Sequence, residues 1–355
     1  MNELIADWRE RIRAAAATHV PLRIVGGGSK DFYGHELRGE RFDTAQYRGI
    51  VDYDPTELVI TARCGTPLAE VEQALAEADQ MLVFEPPHFG PHATFGGCIA
   101  AGLSGPRRPY AGAVRDVLLG VRLLDGRGDD LSFGGRVMKN VAGFDVSRLM
   151  AGSLGTLALL LEASLKCVPR PKSEATFALQ VSCAEALQRF DEWSRTPLPL
   201  SATCWHANRL LFRLSGASSA IAEAQRRIGG EPVREAETFW ADLREQRLAF
   251  FKRPGAGLWR CSVRSTAPSP ELGGETLIEW GGALRWFNAA DAKEGLALRE
   301  WAARHGGHAT LFRAENKAAG TFQALSPVLL SLHQRLKATL DPVGIFNPRR
   351  MYPEL

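Results

Sequence analysis

Residues 86–112 read PPHFGPHATFGGCIAAGLSGPRRPYAG, and no helical or strand period holds through them except around Gly97 to Ala101. A loop-rich stretch of this length inside a compact domain is usually functional. Thr94 can donate to a phosphate there, and Gly96-Gly97 sit at a predicted helix N-terminus, where orphan amides and the dipole favour an anion. Close helix packing through small residues is the alternative. Upstream, the β-like run Pro21 to Val25 leads into Gly26-Gly27-Gly28-Ser29-Lys30. Adjacent amides without Cβ obstruction can converge on phosphate oxygens, although a plain glycine-rich turn reads the same way. The spacing is neither G-x-G-x-x-G nor the G-x-x-x-x-G-K-[ST] of a P-loop. Downstream follow Arg115-Asp116, the run Lys139 to Asp145, and Gly152-Ser153-Leu154-Gly155-Thr156. Each signal is weak alone; their order carries the weight.

Composition bounds the answer around these loops. A chain of 355 residues, 45% hydrophobic and 23% charged, is globular and long enough for roughly two domains. Its 35 glycines exceed the typical share, and much of the surplus falls between Gly26 and Gly155. With 43 basic against 40 acidic residues there is no electrostatic footprint for nucleic acid. The N-terminal stretch carries Glu3, Asp7, Arg9, Glu10, Arg11 and Arg13, unlike a signal or transit peptide. The apolar run Leu157 to Leu161 stops at Glu162, far short of a membrane span, so a soluble cytoplasmic protein is expected. The six cysteines include no C-x-x-C pair, and no metal site is expected.

Periodicity predicts helices over Leu4 to His19, Leu68 to Ala78 and Pro327 to Leu340, and a short one in GFDVSRLMAG. It predicts strands at Pro21 to Val25, Leu58 to Arg63, Val114 to Leu124 and Leu157 to Val168. Beyond Pro169-Arg170-Pro171 the pattern becomes β-α-β-β-α-β, the ferredoxin-like order, followed by a weaker repeat from Leu258 to Arg313. The fold class is α+β. The expected domains are 1–170, with lobes of about 1–50 and 51–170, a cap over 171–325, and a returning segment over 326–355.

Taken together, GGGSK, PPHFGPHATFGGCIAAGLSGP, YAGAVRDVLLGVRLL, VMKNVAGFDVSRLMAGSLGTLALLLEASLKCVPRP and FNPRRMYPEL resemble the vanillyl-alcohol-oxidase, or p-cresol methylhydroxylase, type of FAD-binding flavoproteins. Within that family the chain is most similar to the FAD-binding E subunits of bacterial glycolate oxidases. The resemblance covers about residues 20–170 and the tail from Asp341. It implies a two-lobed FAD domain of the p-cresol methylhydroxylase type and a ferredoxin-like cap with an antiparallel sheet. It also implies that Val25, Gly26, Gly27, Gly28, Ser29 and Lys30 form one diphosphate loop. Pro86, Pro87, Thr94, Gly96, Gly97 and Cys98 run along a second. Arg115 and Asp116 match the family's R-D pair in a strand entering the flavin sheet; Gly143, Phe144, Gly155 and Thr156 lie near the ribityl and adenine parts, and Asn347 approaches the isoalloxazine. Members with covalent FAD carry a His in or beside the first loop; Ser29 and Lys30 stand here, so non-covalent FAD is expected.

The implied activity is oxidation of glycolate or D-lactate to the 2-oxo acid. Electrons would pass to an iron–sulfur subunit and quinone, in a complex with a larger FAD-containing subunit that could bring the chain to the cytoplasmic face of the inner membrane. No catalytic residue stands out. Arg209 and Arg213, sharing a strand face, and Arg313 are candidate carboxylate partners, and His206 and His308 candidate bases, against the alternative of solvated arginines and packed histidines. The family's His-rich metal cluster has no counterpart here. The alternatives are a non-catalytic assembly or regulatory subunit and a free-standing FAD oxidoreductase for another alcohol. Trp240, Trp259, Trp280, Trp286 and Trp301 are read mainly as core, with a partner surface as the alternative.

Overall fold

The computed structural model describes residues 1–135, 145–252 and 257–355, which divide into two compact units. The first comprises Met1–Ser104, Ala113–Pro169 and Ala324–Leu355. It starts with α1 (Asn2–Thr18), whose Ile5, Trp8, Ile12 and Ala15 recur every three or four residues and form one buried stripe. The stripe packs on Leu22 of β1 (Leu22–Val25), Phe42 of β2 (Glu40–Asp43), and Ile345 and Phe346 of the tail. β2 runs parallel to β1 and escaped the sequence pattern because only Phe42 of its four residues is buried. β3 (Ile50–Asp54) and β4 (Val59–Arg63) lead to α2 (Leu68–Glu77), the short β5 (Gln80–Met81) and α3 (Phe95–Ala101).

The next eight residues, Gly105–Gly112 with the one-turn α4 (Arg108–Ala111), belong by their contacts to the second unit, although they lie within the sequence range expected for the first. The strand predicted over Val114 to Leu124 is split. Its first four residues are a helical turn, α5 (Val114–Val117), because the Asp116 carboxylate accepts the Ala113 N–H at 2.8 Å and closes the turn; β6 (Leu118–Leu124) follows. β7 (Asp130–Gly134), β8 (Leu159–Lys166) and the short β9 (Val168–Pro169) complete the unit's strands. Five of them form the antiparallel sheet β3-β4-β8-β6-β7. Leu68, Val71, Leu75, Phe95 and Ile99 of α2 and α3 share a core with Ile60, Leu118 and Leu165 of that sheet.

The second unit is one eight-stranded antiparallel sheet in the order β13-β10-β12-β11-β15-β16-β14-β17. β10 (Ser173–Gln180), α6 (Cys183–Ser194), β11 (Leu200–His206), β12 (Arg209–Gly216), α7 (Ser218–Ile228) and β13 (Glu231–Pro232) trace the β-α-β-β-α-β order. After α8 (Ala236–Arg244), β14 (Gly257–Ser262), β15 (Thr276–Glu279), β16 (Leu284–Ala289), α9 (Ala292–Arg304) and β17 (His308–Arg313) form the weaker repeat. Each half has its own core, one around Phe190, Trp193 and Phe212, the other around Trp259, Leu298 and Trp301. Trp240, Trp259, Trp280, Trp286 and Trp301 are all buried, so none of them supplies the exposed aromatic surface that was the alternative reading. α10 (Pro327–Leu340), capped by Ser326 and begun by Pro327, belongs to the first unit. The fold is two-domain α+β.

Candidate functional site

β1 delivers the chain to a turn walled on one side by backbone, which is why three glycines follow Val25. A Cβ on Gly26 would lie 2.4 Å from Thr94 Oγ1, and one on Gly27 would lie 1.4 Å from the His92 carbonyl oxygen. Gly28 has a φ of +68°, the left-handed region that glycine enters without a steric cost. The first loop therefore lies directly on residues 92–94 of the second. Lys30 joins them again, its ammonium donating to the His88 carbonyl at 3.1 Å and sitting 5.7 Å from the centroid of the Phe89 ring. Pro86 and Pro87 are buried at the start of the second loop, and His88 Nε2 lies 2.9 Å from Glu72 Oε2.

Thr94 caps α3: its Oγ1 accepts the Gly97 N–H at 3.2 Å. The Phe95 and Gly96 N–H groups donate at 2.8 Å to the carbonyls of Thr66 and Cys64. The first-turn amides are thus spent inside the protein, and the anion donors expected at Gly96-Gly97 are not available there. These glycines serve close approach instead, since a Cβ on Gly96 would meet Cys64 Cβ at 2.5 Å. Burial pushes the Cys98 thiol up to about 12, so it stays protonated and acts as a small packed side chain. The donors stand in the first loop. Among the described residues, the N–H groups of Gly27, Gly28 and Ser29 have no protein acceptor. Ser104 Oγ, just beyond α3, is also buried without a hydrogen-bond partner. Three free amides, the Lys30 ammonium and the Thr94 hydroxyl proton are a donor set that fits a diphosphate.

The tail braces this cradle. Asn347 Oδ1 accepts the Ile24 N–H at 2.9 Å, and its Nδ2 donates to the Leu154 carbonyl at 2.7 Å. Gly155 has a φ of +69° with Asn347 Nδ2 beside it, so the tail holds this turn against β1. Both ends of the Asn347 side chain are therefore occupied in tying strands together. Arg350 is buried and donates to the carbonyls of Asp31, Tyr33 and His35, fixing the segment after the first loop. Lys337 is buried too, bonded to the Thr156 carbonyl at 2.6 Å, Asp341 Oδ2 at 2.7 Å and the Phe346 carbonyl at 2.8 Å. Neither Arg350 nor Lys337 announced itself in the sequence, because a buried cation that binds carbonyls leaves no spacing motif.

The other expected residues stand elsewhere. Arg115 and Asp116 lie on the α5 turn rather than in a strand, and Arg115 lines a pocket of about 260 Å³ together with Thr156, Arg148 and Lys337. The Thr156 hydroxyl donates to the Ser153 carbonyl at 2.7 Å. Gly143 and Phe144 lie outside the described residues. In the second unit, Arg209 and Arg213 do not form a shared solvated face: Arg209 is exposed, whereas Arg213 is buried, 2.9 Å from Ser201 Oγ and 3.8 Å from Glu174. Arg313 donates to Gln246 at 2.6 Å, and His206 lies 3.1 Å from Glu275. Among the described residues there is no group of three His, Cys, Asp or Glu side chains placed to hold a metal ion.

Comparison with known proteins bears on what the cradle holds. A family model described as an FAD binding domain matches residues 3–134. Glycolate oxidase subunit GlcE of Escherichia coli (strain K12) is 50% identical over 346 residues, which cover 98% of this chain and 97% of that protein. Glycolate oxidase subunit GlcD of Bacillus subtilis is 32% identical over 127 residues, 36% of this chain and 27% of that protein. The mitochondrial D-lactate dehydrogenase [cytochrome] 1 of Saccharomyces cerevisiae is 31% identical over 162 residues, 44% of this chain and 27% of its own. Among solved structures, an alkyldihydroxyacetonephosphate synthase superposes with a TM-score of 0.64 at 15% identity, covering 97% of this chain and 75% of its own, a likeness of fold.

Proposed function

The chain belongs to the glycolate oxidase E-subunit family of FAD binding domain proteins, and from that premise we propose that it is the FAD-binding subunit of a complex that oxidises glycolate or D-lactate to the 2-oxo acid. The observation that carries this reading is the identity of 50% along 98% of the chain. Bound FAD supplies the two-electron acceptor that side chains lack. The chain's own part is to hold and orient it. The amides of Gly27, Gly28 and Ser29, with Lys30 and the Thr94 hydroxyl, bind the diphosphate. Val25, Pro86, Pro87, Gly96, Gly97 and Cys98 shape the two loops around it, and Gly155 and Asn347 keep the neighbouring turn against β1. The first loop has no histidine, which supports non-covalent attachment. The proposed route for electrons runs to an iron–sulfur subunit and then to quinone, with a larger flavin subunit in the same complex. Among the described residues no helix is long and apolar enough to cross a membrane.

A second reading, a subunit that carries FAD without turning over substrate, draws on the cap. Arg213, Arg313 and His206 are engaged by Ser201, Gln246 and Glu275, which is a structural use of the groups a hydroxy acid would need. The experiment is the visible absorbance spectrum of the purified chain, then of the chain with glycolate under anaerobic conditions. Flavin bands are expected, and a chain that stays colourless after FAD is added refutes the cofactor assignment. Bleaching by glycolate places the chemistry in this chain. Bleaching only when the larger subunit is present selects the second reading.

A further inference from the structure

Three of the donors assigned to the diphosphate are backbone amides, placed by the turn that carries them. The Lys30 ammonium ends a flexible stem of four carbons and takes its place from its neighbours. It donates to the His88 carbonyl at 3.1 Å, reaches Ser29 Oγ at 3.4 Å and lies 5.7 Å from the centroid of the Phe89 ring. His88 and Phe89 are consecutive residues of the second loop, so the ammonium is placed by that loop as well as by its own. The second loop is itself bound at this point. Phe89 has a φ of +52°, a conformation that a non-glycine residue keeps only where its surroundings over-determine it. Its ring meets Phe32 edge-on at 5.4 Å between centroids, and Phe32 stands two residues beyond Lys30.

The other tie runs to α2. His88 Nε2 lies 2.9 Å from Glu72 Oε2, with the two side chains 18% and 30% exposed. A carboxylate oxygen accepts, so Nε2 carries the proton. Leu68, Val71 and Leu75 fix α2 in the core of the first unit, and the carboxylate therefore stands on a rigid support. By charge alone Glu72 is misplaced, because a carboxylate beside a site for a diphosphate repels it. The field of Glu72 does reach this region: burial raises the Cys98 thiol, Lys30 pulls it down and Glu72 pushes it up. What the carboxylate contributes is its hydrogen bond to the second loop.

We propose that Glu72 and His88 are positioning residues for the cofactor: Glu72 holds His88, and the His88 carbonyl holds the Lys30 ammonium where it meets the FAD diphosphate. Both act through Lys30 and neither touches the cofactor. The proposal rests on the reading given above, in which this chain binds FAD.

The test titrates the apoprotein with FAD and reads the dissociation constant from flavin fluorescence. Glu72→Met removes the acceptor, Glu72→Gln keeps an acceptor without the charge, and Glu70→Met removes an exposed carboxylate of the same helix. Glu72→Met and His88→Leu are each expected to weaken binding about tenfold, the worth of a hydrogen bond to a charged group. Glu72→Gln is expected to bind at least as tightly as the parent, and Glu70→Met to match it. In a Lys30→Met background, itself weaker than the parent, Glu72→Met is expected to leave the affinity unchanged to within about twofold, because the two act on one contact. Binding by Glu72→Met as tight as the parent's, or tighter, overturns the proposal in favour of a simple charge effect. A full further loss in the Lys30→Met background overturns it too, and assigns Glu72 and His88 to the fold of the loop. So does a Lys30→Met chain that binds FAD like the parent, since no ammonium is then there to be placed. A parent that takes up no FAD refutes the cofactor reading and the proposal with it, a result distinct from the others.

Discussion

Gly27 faces the His92 carbonyl so closely that the smallest side chain would force the two loops apart, and this decides how its replacement should behave. The expected effect of Gly27→Ala is loss of FAD on gel filtration with the far-ultraviolet circular dichroism of the parent retained. The damage is a shift in the amides that face the diphosphate; the added methyl would stand on the loop's other side. Gly28 tests the opposite case. Its nearest neighbour to an added Cβ is Asp31 at 3.6 Å, so space is available and only the φ of +68° resists. Gly28→Ala should cost about 1–2 kcal/mol, the strain of a left-handed alanine, and weaken FAD binding without abolishing it. Titration of the apoprotein with FAD, followed by flavin fluorescence, separates the two. A Gly27→Ala chain that binds as tightly as Gly28→Ala would show that the contact with His92 does not set the cradle.

Elements are joined in this molecule by ion pairs, and a group in each of two of them has a pH signature. Burial lowers the Lys337 ammonium below its usual 10.5, although Asp341 pulls it back up. An unfolded chain keeps that proton to about 10.5, so between the lowered value and 10.5 the unfolded state holds the extra proton and this residue's contribution to stability rises with pH. Lys337→Met should flatten that alkaline rise and still destabilise at neutral pH by about 2–3 kcal/mol, because the carbonyls of Thr156 and Phe346 lose their donor. Asp341 keeps the N–H groups of Gly344, Ile345 and Phe346, which limits the loss. In the cap, burial raises the Glu174 carboxyl, but Arg213, Arg107 and the Ser215 hydroxyl more than offset this and leave it below the usual 4.5. The stability it contributes is present above 4.5 and lost as pH falls through the lowered value. Urea unfolding at a series of pH values should show a smaller acid-side loss in Glu174→Gln than in the parent; equal slopes would mean the two arginines are satisfied without it.

At the scale of the whole chain, what could be read in advance followed local pattern, and what could not depended on distant partners. α10 and the β-α-β-β-α-β run showed in the sequence because apolar spacing and turn residues are local. β2 did not, because a polar strand with one buried residue is stabilised by β1 and α1 and not by its own pattern. The two loops were legible as glycine in order, yet which amides remain free was not: that depends on Thr66 and Cys64 accepting from the start of α3. The transfer of Gly105–Gly112 to the second unit is also a contact property. There Arg107 is bonded to Glu174, and the Trp280 indole N–H donates to the Gly105 carbonyl at 3.1 Å.

The discontinuity of the first unit leads to the last prediction. Residues from Ala324 onward supply Phe346, which bridges to Leu22 of β1, and the Asn347, Arg350 and Lys337 bonds that hold the Gly155 turn and the segment after the first loop. The second unit ends at Gln323, and its sheet and two cores are built from residues before that point. A chain ended after Gln323 should therefore lose structure unequally. Near-ultraviolet circular dichroism from the buried cap tryptophans is expected to persist, while FAD binding disappears and proteolysis opens the region around α1 and β1. Without the tail, Ile5, Trp8 and Leu22 lose the cover of Ile345 and Phe346, apolar burial worth about 1.5–3 kcal/mol for each large side chain. That exceeds what a short two-stranded pair can replace. Retained FAD in the shortened chain would mean that β1 and the glycine loop keep their geometry without the tail. Collapse of the cap signal as well would mean that the two units do not fold separately.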